Sequence, residues 1–182
     1  MLVMAFCAHK NRFRANQRSG FTLIELIVVV LLLACIGSII YFFANQVMMR
    51  KKCKRNLRAI YTALELYEID RGTLPRLALF PDDPKQDNDS IVVALKPYGG
   101  SGDIYVCPAL PAYHRALGLT YIWNVNLNGR KLQSPDKPTW MLVEMSALSS
   151  SVPKPHLGRY NVLYTDGRVV KAKEPPPGLR DL

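Results

Sequence analysis

The chain has 182 residues and a formal charge of +10, from 24 Lys and Arg against 14 Asp and Glu. That length suits one modest domain, or a small domain with an appendage, and a charge of this size spread over a surface would point to nucleic acid. It is not spread: Lys10, Arg12, Arg14 and Arg18 sit in residues 1–20 with no acid, and Arg50, Lys51, Lys52, Lys54, Arg55 and Arg58 in residues 50–58 with no acid, so the remainder is neutral and no nucleic-acid partner is expected.

Between the two basic segments lies Phe21–Ala44, FTLIELIVVVLLLACIGSIIYFFA, with Glu25 as its one charge. As a helix it would be about 36 Å long, enough to cross a hydrocarbon core of about 30 Å. The newly made chain is therefore expected in a lipid bilayer and not in solution. An ordinary secretory signal has a shorter apolar stretch and small residues before its cleavage site; here the stretch ends in Tyr41-Phe42-Phe43-Ala44. A carboxylate inside such a span is costly without a cationic partner. Cutting between Gly20 and Phe21 would create one, an α-amino group four residues before Glu25.

The residues Arg18-Ser19-Gly20-Phe21-Thr22-Leu23-Ile24-Glu25-Leu26 resemble the prepilin-type cleavage and methylation segment of type IV pilins and type II secretion pseudopilins. The resemblance rests on a basic leader, a glycine at the cut, a phenylalanine after it, a glutamate four residues on and a long apolar helix. It implies that prepilin peptidase cuts after Gly20 and methylates the new N-terminus at Phe21. It also implies that Glu25 neutralises the N-terminus of a neighbouring subunit in a filament. Copies of the chain, other pilin-like subunits, an inner-membrane assembly platform and the lipid bilayer are the implied partners. The implied topology is single-pass, with the leader (1–20) cytoplasmic and the C-terminal domain exported. The count of positive charges on either side of the span would by itself favour the opposite orientation or none, and the resemblance outweighs it.

Residues 45–70 lack Gly and Pro and place Cys53, Leu57, Ile60, Leu64 and Tyr67 in steps of 4, 3, 4 and 3, which is one face of a helix. Lys51, Arg55 and Arg58 fall opposite. A single helix is expected from about Phe21 to about Asp70, apolar all round in its first half (21–44) and amphipathic in its second (45–70). Gly72 and Pro75 end it, and Gly37-Ser38 is a place for a bend.

Residues 71–182 are expected to form a small exported domain that needs the helix as a wall. Candidate strands are Ile104–Cys107, Thr120–Val125, Thr139–Glu144, Tyr160–Thr165 and Arg168–Lys171. The last two are joined by Asp166-Gly167, a two-residue hairpin signal. The expected fold class is α+β, a long N-terminal helix packed on a small antiparallel sheet. The tail Glu174–Pro177 reads as extended and outside the core. Tyr67–Pro75 (YEIDRGTLP) is similar to the helix exit of major pseudopilins. Pro97-Tyr98, Val106-Cys107-Pro108, Tyr121, Asn124 and His156-x₉-Asp166-Gly167 resemble a bacterial subfamily of pilin-like proteins with that ending, although Arg168 stands where many relatives have histidine.

Residues able to do chemistry are few, and no catalytic constellation appears, so a structural protein is expected and not an enzyme. His156 and Asp166 form a candidate local or ligand-holding pair; the bland alternative gives Asp166 a turn role and His156 local packing. Major pseudopilins hold calcium with acidic loop residues, and Asp82, Asp83, Asp87 and Asp89 offer oxygens. They lack an EF-hand spacing, so a solvated loop with no cofactor is expected, with calcium as the alternative, and no other metal site is expected. Cys53 and Cys107 would both reach an oxidising compartment, either pairing there or remaining two buried thiols. Two functions follow: a filament subunit, or a membrane-anchored binding module whose exported domain holds a ligand or metal.

Overall fold

The structure, a computed structural model, describes residues 20–100, 102–134, 136–149 and 152–181. The basic leader upstream of Gly20 lies outside the described residues. The chain divides into two units, Met1–Ile40 and Tyr41–Leu182. One helix, α1 (Leu23–Arg71), contributes to both.

Up to Ile40, α1 carries no cover. Every described side chain from Phe21 to Ile40 is exposed, and the apolar window that qualifies as a membrane span by length and composition has none of its residues buried. Leu31 is 60 % accessible and Leu33 63 %. Ser38, near the end of this stretch, donates to the Ala34 carbonyl at 2.8 Å and so satisfies itself within the helix.

From Tyr41 onward the same helix becomes one-sided. Cys53, Asn56, Leu57, Ile60, Ala63 and Leu64 are buried, while Lys51, Lys52, Arg55 and Arg58 are exposed. The spacing of the apolar residues sets this stripe. Gly72 follows with φ 79°, and its N–H bonds to the Glu68 carbonyl at 2.7 Å, closing the helix in the left-handed conformation that glycine adopts at least cost.

Against the stripe lies a four-stranded antiparallel meander, β1 (Tyr121–Trp123), β2 (Trp140–Glu144), β3 (Tyr160–Tyr164) and β4 (Val169–Ala172), in sequential order. Two short helices, α2 (Ile91–Ala94) and α3 (Ala112–Ala116), lie between α1 and the sheet in sequence. Successive side chains on a strand alternate between faces. Tyr121, Trp123, Leu142 and Leu163 join the cluster that contains Leu57, Ile60 and Leu64 of α1. Ile122, Val143, Val162 and Tyr160 join a second cluster closed by Leu179. A register shift between Trp140 and Leu142 breaks the alternation of β2. It lets Met141 and Leu142 both enter the first cluster.

Four details depart from the sequence expectations. Ile104–Cys107 is not a strand: a 3₁₀ turn occupies Gly102–Tyr105. The Asp103 and Val106 carbonyls accept from the Asn56 side-chain amide at 3.1 and 3.0 Å instead of from a neighbouring strand. β1 is shorter than Thr120–Val125 because Asn124 caps a 3₁₀ turn at Val125–Leu127, its side chain accepting from the Asn126 N–H at 3.1 Å. The β3–β4 hairpin is closed by three residues and not two. The Gly167 N–H bonds to the Tyr164 carbonyl at 2.9 Å, and the Tyr164 N–H to the Arg168 carbonyl at 3.0 Å. Gly167 has φ 75°, a type I turn followed by a left-handed residue. Finally, the tail belongs to the core: Pro176 is buried, Leu179 is 1 % accessible, and the Trp140 indole donates to the Pro177 carbonyl at 3.0 Å.

Candidate functional sites

The N-terminal site is a reciprocal cap. Glu25 accepts from the Thr22 N–H at 2.9 Å and from the Thr22 hydroxyl at 2.8 Å, and the Glu25 N–H donates back to that hydroxyl at 3.3 Å. Thr22-Leu-Ile-Glu25 is thus a capping box, which satisfies donors left open at a helix start and sets a carboxylate in the first turn, where the helix dipole favours it. The Thr-x-x-Glu spacing carries this signal in the sequence. Gly20 and Phe21 precede the helix, both exposed, so the peptide bond between them belongs to uncovered, non-helical chain.

A second constellation is buried in the sheet domain. Tyr121 of β1 pairs in register with Glu144 at the end of β2. Glu144 is completely buried. Its carboxylate accepts from the Asn161 N–H at 2.7 Å and the Asn161 side-chain amide at 2.9 Å, and lies 2.9 Å from His156 Nε2. His156 Nε2 is also 3.3 Å from Cys107 Sγ, and Cys107 is disulfide-bonded to Cys53 of α1 across a Cα separation of 5.2 Å. The Tyr121 hydroxyl reaches Cys53 Sγ at 3.7 Å. Burial first, and the Glu144 charge second, push the Tyr121 phenol well above its ordinary value, against the Asn56 side-chain bond that lowers it.

His156 occupies an unusual backbone position. The turn Pro155–Gly158 is left-handed, with φ/ψ of 55°/45° at His156 and 60°/47° at Leu157, and Gly158 at φ 79°. Left-handed conformations cost about 1–2 kcal/mol per residue with a β-carbon. The turn aims His156 into the core, 3 % accessible, and leaves Leu157 outside, 58 % accessible.

The structure gives His156 and Asp166 separate partners. Asp166 shapes the β3–β4 turn, accepting from the Arg168 N–H at 3.1 Å and pairing with the Arg168 guanidinium. Burial is the largest single influence on Asp166 and opposes its ionisation, but the Arg168 contacts together outweigh it and hold the carboxyl below its ordinary range. Asp166 also lines an open groove of about 780 Å³ with Tyr61, Glu68 and Lys131. Of the acidic loop, Asp83 and Asp87 are turned onto backbone: Asp87 accepts from the Asp83 N–H at 2.7 Å and Asp83 from the Lys85 N–H at 2.9 Å. The residue that sequence reasoning missed is Glu144. Its only signal was an acid closing an apolar strand.

The chain is an α+β protein in which a helix long and apolar enough to cross a membrane continues into an amphipathic wall for a small antiparallel sheet. Residues 15–41 match the family model described as the prokaryotic N-terminal methylation motif. Motif and fold together are consistent with a type IV pilin-like protein, and the motif supports processing by prepilin peptidase. The match ends at Tyr41 and leaves the sheet domain outside it. No curated protein and no solved structure matches the chain significantly.

Proposed function

We propose that the chain is a structural filament subunit, stored in the inner membrane as a precursor, cut after Gly20, methylated on Phe21 and polymerised into a type II secretion pseudopilus or a type IV pilus-like filament. The observation that carries this reading is that the uncovered part of the helix falls within the methylation-motif match. An apolar surface that extends all round a helix must be covered on all sides. Lipid covers it in the precursor; after extraction only copies of the same helix, or of similar subunits, offer an equivalent cover.

Glu25 provides the polar element of assembly. Among the described residues its side-chain partners are both on Thr22, close in sequence and replaceable. In the filament the methylated amine of a neighbour's Phe21 takes over the carboxylate, pairing two charges that each would be costly alone in an apolar core. The leader remains cytoplasmic and the sheet domain is exported, with the assembly platform drawing subunits from the bilayer. The role is assembly and not catalysis.

The test is the mature N-terminus. Mass spectrometry of protein from a host with prepilin peptidase should find a chain that begins at Phe21 and carries one additional methyl group. A mature protein beginning at Met1 in that host overturns the reading.

A further inference from the structure

Cys53, Cys107, Glu144 and His156 come from four separate segments, yet one potential ligand atom of each lies within 4.8 Å of all the others. All four residues are buried, with accessibilities of 0 to 3 %. A disulfide between α1 and the Cys107 segment has no need of this company, because neither sulfur has a proton to give or a charge to be balanced. Apolar side chains would fill the same space without the cost of burying a carboxylate and an imidazole. The chain instead holds the carboxylate with two Asn161 donors and adopts two consecutive left-handed residues to bring the ring in. His156 Nδ1 is buried with no hydrogen-bond partner, so the polar contacts of the ring are all made through Nε2, toward Glu144 and Cys107.

The donor set is two thiols, one imidazole and one carboxylate. That set suits zinc and similar transition ions rather than calcium, which takes oxygen. The spacing suits it as well. Tetrahedral zinc, with bonds of about 2.0 Å to nitrogen or oxygen and about 2.3 Å to sulfur, separates its ligands by roughly 3.3–3.8 Å. Cys107 Sγ is 3.3 Å from His156 Nε2 and 3.8 Å from Glu144 Oε1. Nε2 and Oε1 are 2.9 Å apart, so they need only spread slightly, while the two sulfurs must part.

We propose that the Cys53–Cys107 disulfide is the oxidised form of a zinc-class metal site, in which the dithiol form binds one divalent ion through Cys53, Cys107, Glu144 and His156. The chain is synthesised with thiols, so the metal form requires no reductant when first made. On binding, the two thiols release two protons and form two metal–sulfur bonds. An oxidant of the disulfide class later removes two electrons from the thiolates, the sulfur–sulfur bond forms and the ion leaves. Two thiolates and a carboxylate around a divalent ion leave one net negative charge, which the Asn161 donors face. Metal and disulfide are thus alternative clamps between α1 and the rest of the sheet domain, one available before oxidation and one after it. This site stands whether or not the chain polymerises.

The test uses the full chain in detergent, opened with a phosphine that becomes its oxide as the disulfide takes up two electrons and two protons. Cobalt(II) is the probe, because thiolate charge-transfer bands and intense d–d bands in the visible report tetrahedral sulfur coordination. The expected result is one cobalt per chain in reduced protein, displaced by zinc, and no such bands in oxidised protein. Glu144→Gln and His156→Ala should each lose the tetrahedral bands. Asn161→Ala, which keeps all four donors, should weaken binding about ten- to a hundredfold. X-ray absorption on zinc-loaded wild-type protein needs no variant to fold; it should find two sulfurs at about 2.3 Å and two lighter ligands at about 2.0 Å. Reduced wild-type protein without tetrahedral cobalt bands, or zinc coordinated without two sulfurs, overturns the proposal.

Discussion

The two stretches of α1 are built from the same backbone and read as opposites. Before Ile40 every described side chain is exposed, Leu31 at 60 %, whereas Leu57 and Ile60 are at 0 %. The difference lies both in how many apolar residues there are and in how they are arranged. An apolar residue at nearly every position has no preferred side, so no single wall from its own chain can cover it. A residue every three or four positions has one side, and a small sheet is enough to cover it. The first stretch therefore depends on its surroundings, lipid or other subunits. The second is completed by the chain itself.

The sharpest way to break this comparison is to prevent the first stretch from leaving the membrane. Gly20→Leu puts a branched side chain at the cleavage position, and we expect processing to be lost, with the leader retained by mass spectrometry and no filament formed. Glu25→Ala should separate the two steps: cleavage is largely kept, while filament yield falls by an order of magnitude or more. An assembled filament from Glu25→Ala at wild-type yield would remove the carboxylate from the assembly mechanism.

Truncating one leucine in each stretch sharpens the contrast. Leu57→Ala opens a cavity beneath the sheet and should destabilise the domain by about 2–5 kcal/mol. The same change at Leu31, which belongs to neither core cluster, should leave the thermal midpoint in detergent unchanged. Its effect should appear only in filament yield. Equal loss of thermal stability in both variants would mean that the first stretch is covered within the chain after all.

Legibility in the sequence followed the same division. The stripe of Cys53, Leu57, Ile60 and Leu64, the stop at Gly72 and the Asp166-Gly167 hairpin are local patterns, and they appear where the residues place them. What escaped was decided at a distance. Ile104–Cys107 alternates like a strand, but Asn56 takes the Asp103 and Val106 carbonyls, 47 and 50 positions away. The direction Glu144 faces depends on the register shift near Met141, and no residue type in Trp140–Glu144 demands that shift. The pairing of Cys53 with Cys107 spans 54 residues, and no spacing rule links a cysteine on a helix stripe to one in a loop. Left-handed backbone at His156 and Leu157 defies local preference and exists because the core around it requires it.

The smallest effect is an alkaline one, and it reads the second stretch alone, because residues 20–40 contain no tyrosine. Burial raises both the Tyr105 and Tyr121 phenols above their ordinary value. In the unfolded chain each ionises near pH 10, while in the fold each stays neutral, so above that pH the unfolded state has given up protons that the folded state still holds. The stabilisation is therefore complete below about pH 10 and decays as pH rises toward the folded values, by about 1.4 kcal/mol per pH unit for each tyrosine. Tyr105→Phe is the clean probe, since the Tyr105 hydroxyl is buried without a hydrogen-bond partner and its removal leaves no group unsatisfied. Stability at neutral pH should be unchanged or higher by about 1 kcal/mol, and the alkaline slope from denaturant melts should become shallower by the share of one tyrosine. Helical signal from the first stretch should persist in detergent through the alkaline transition, because nothing that titrates there is part of a core. An unchanged slope would place Tyr105 in contact with water and remove it from the wall that α1 shares with the sheet domain.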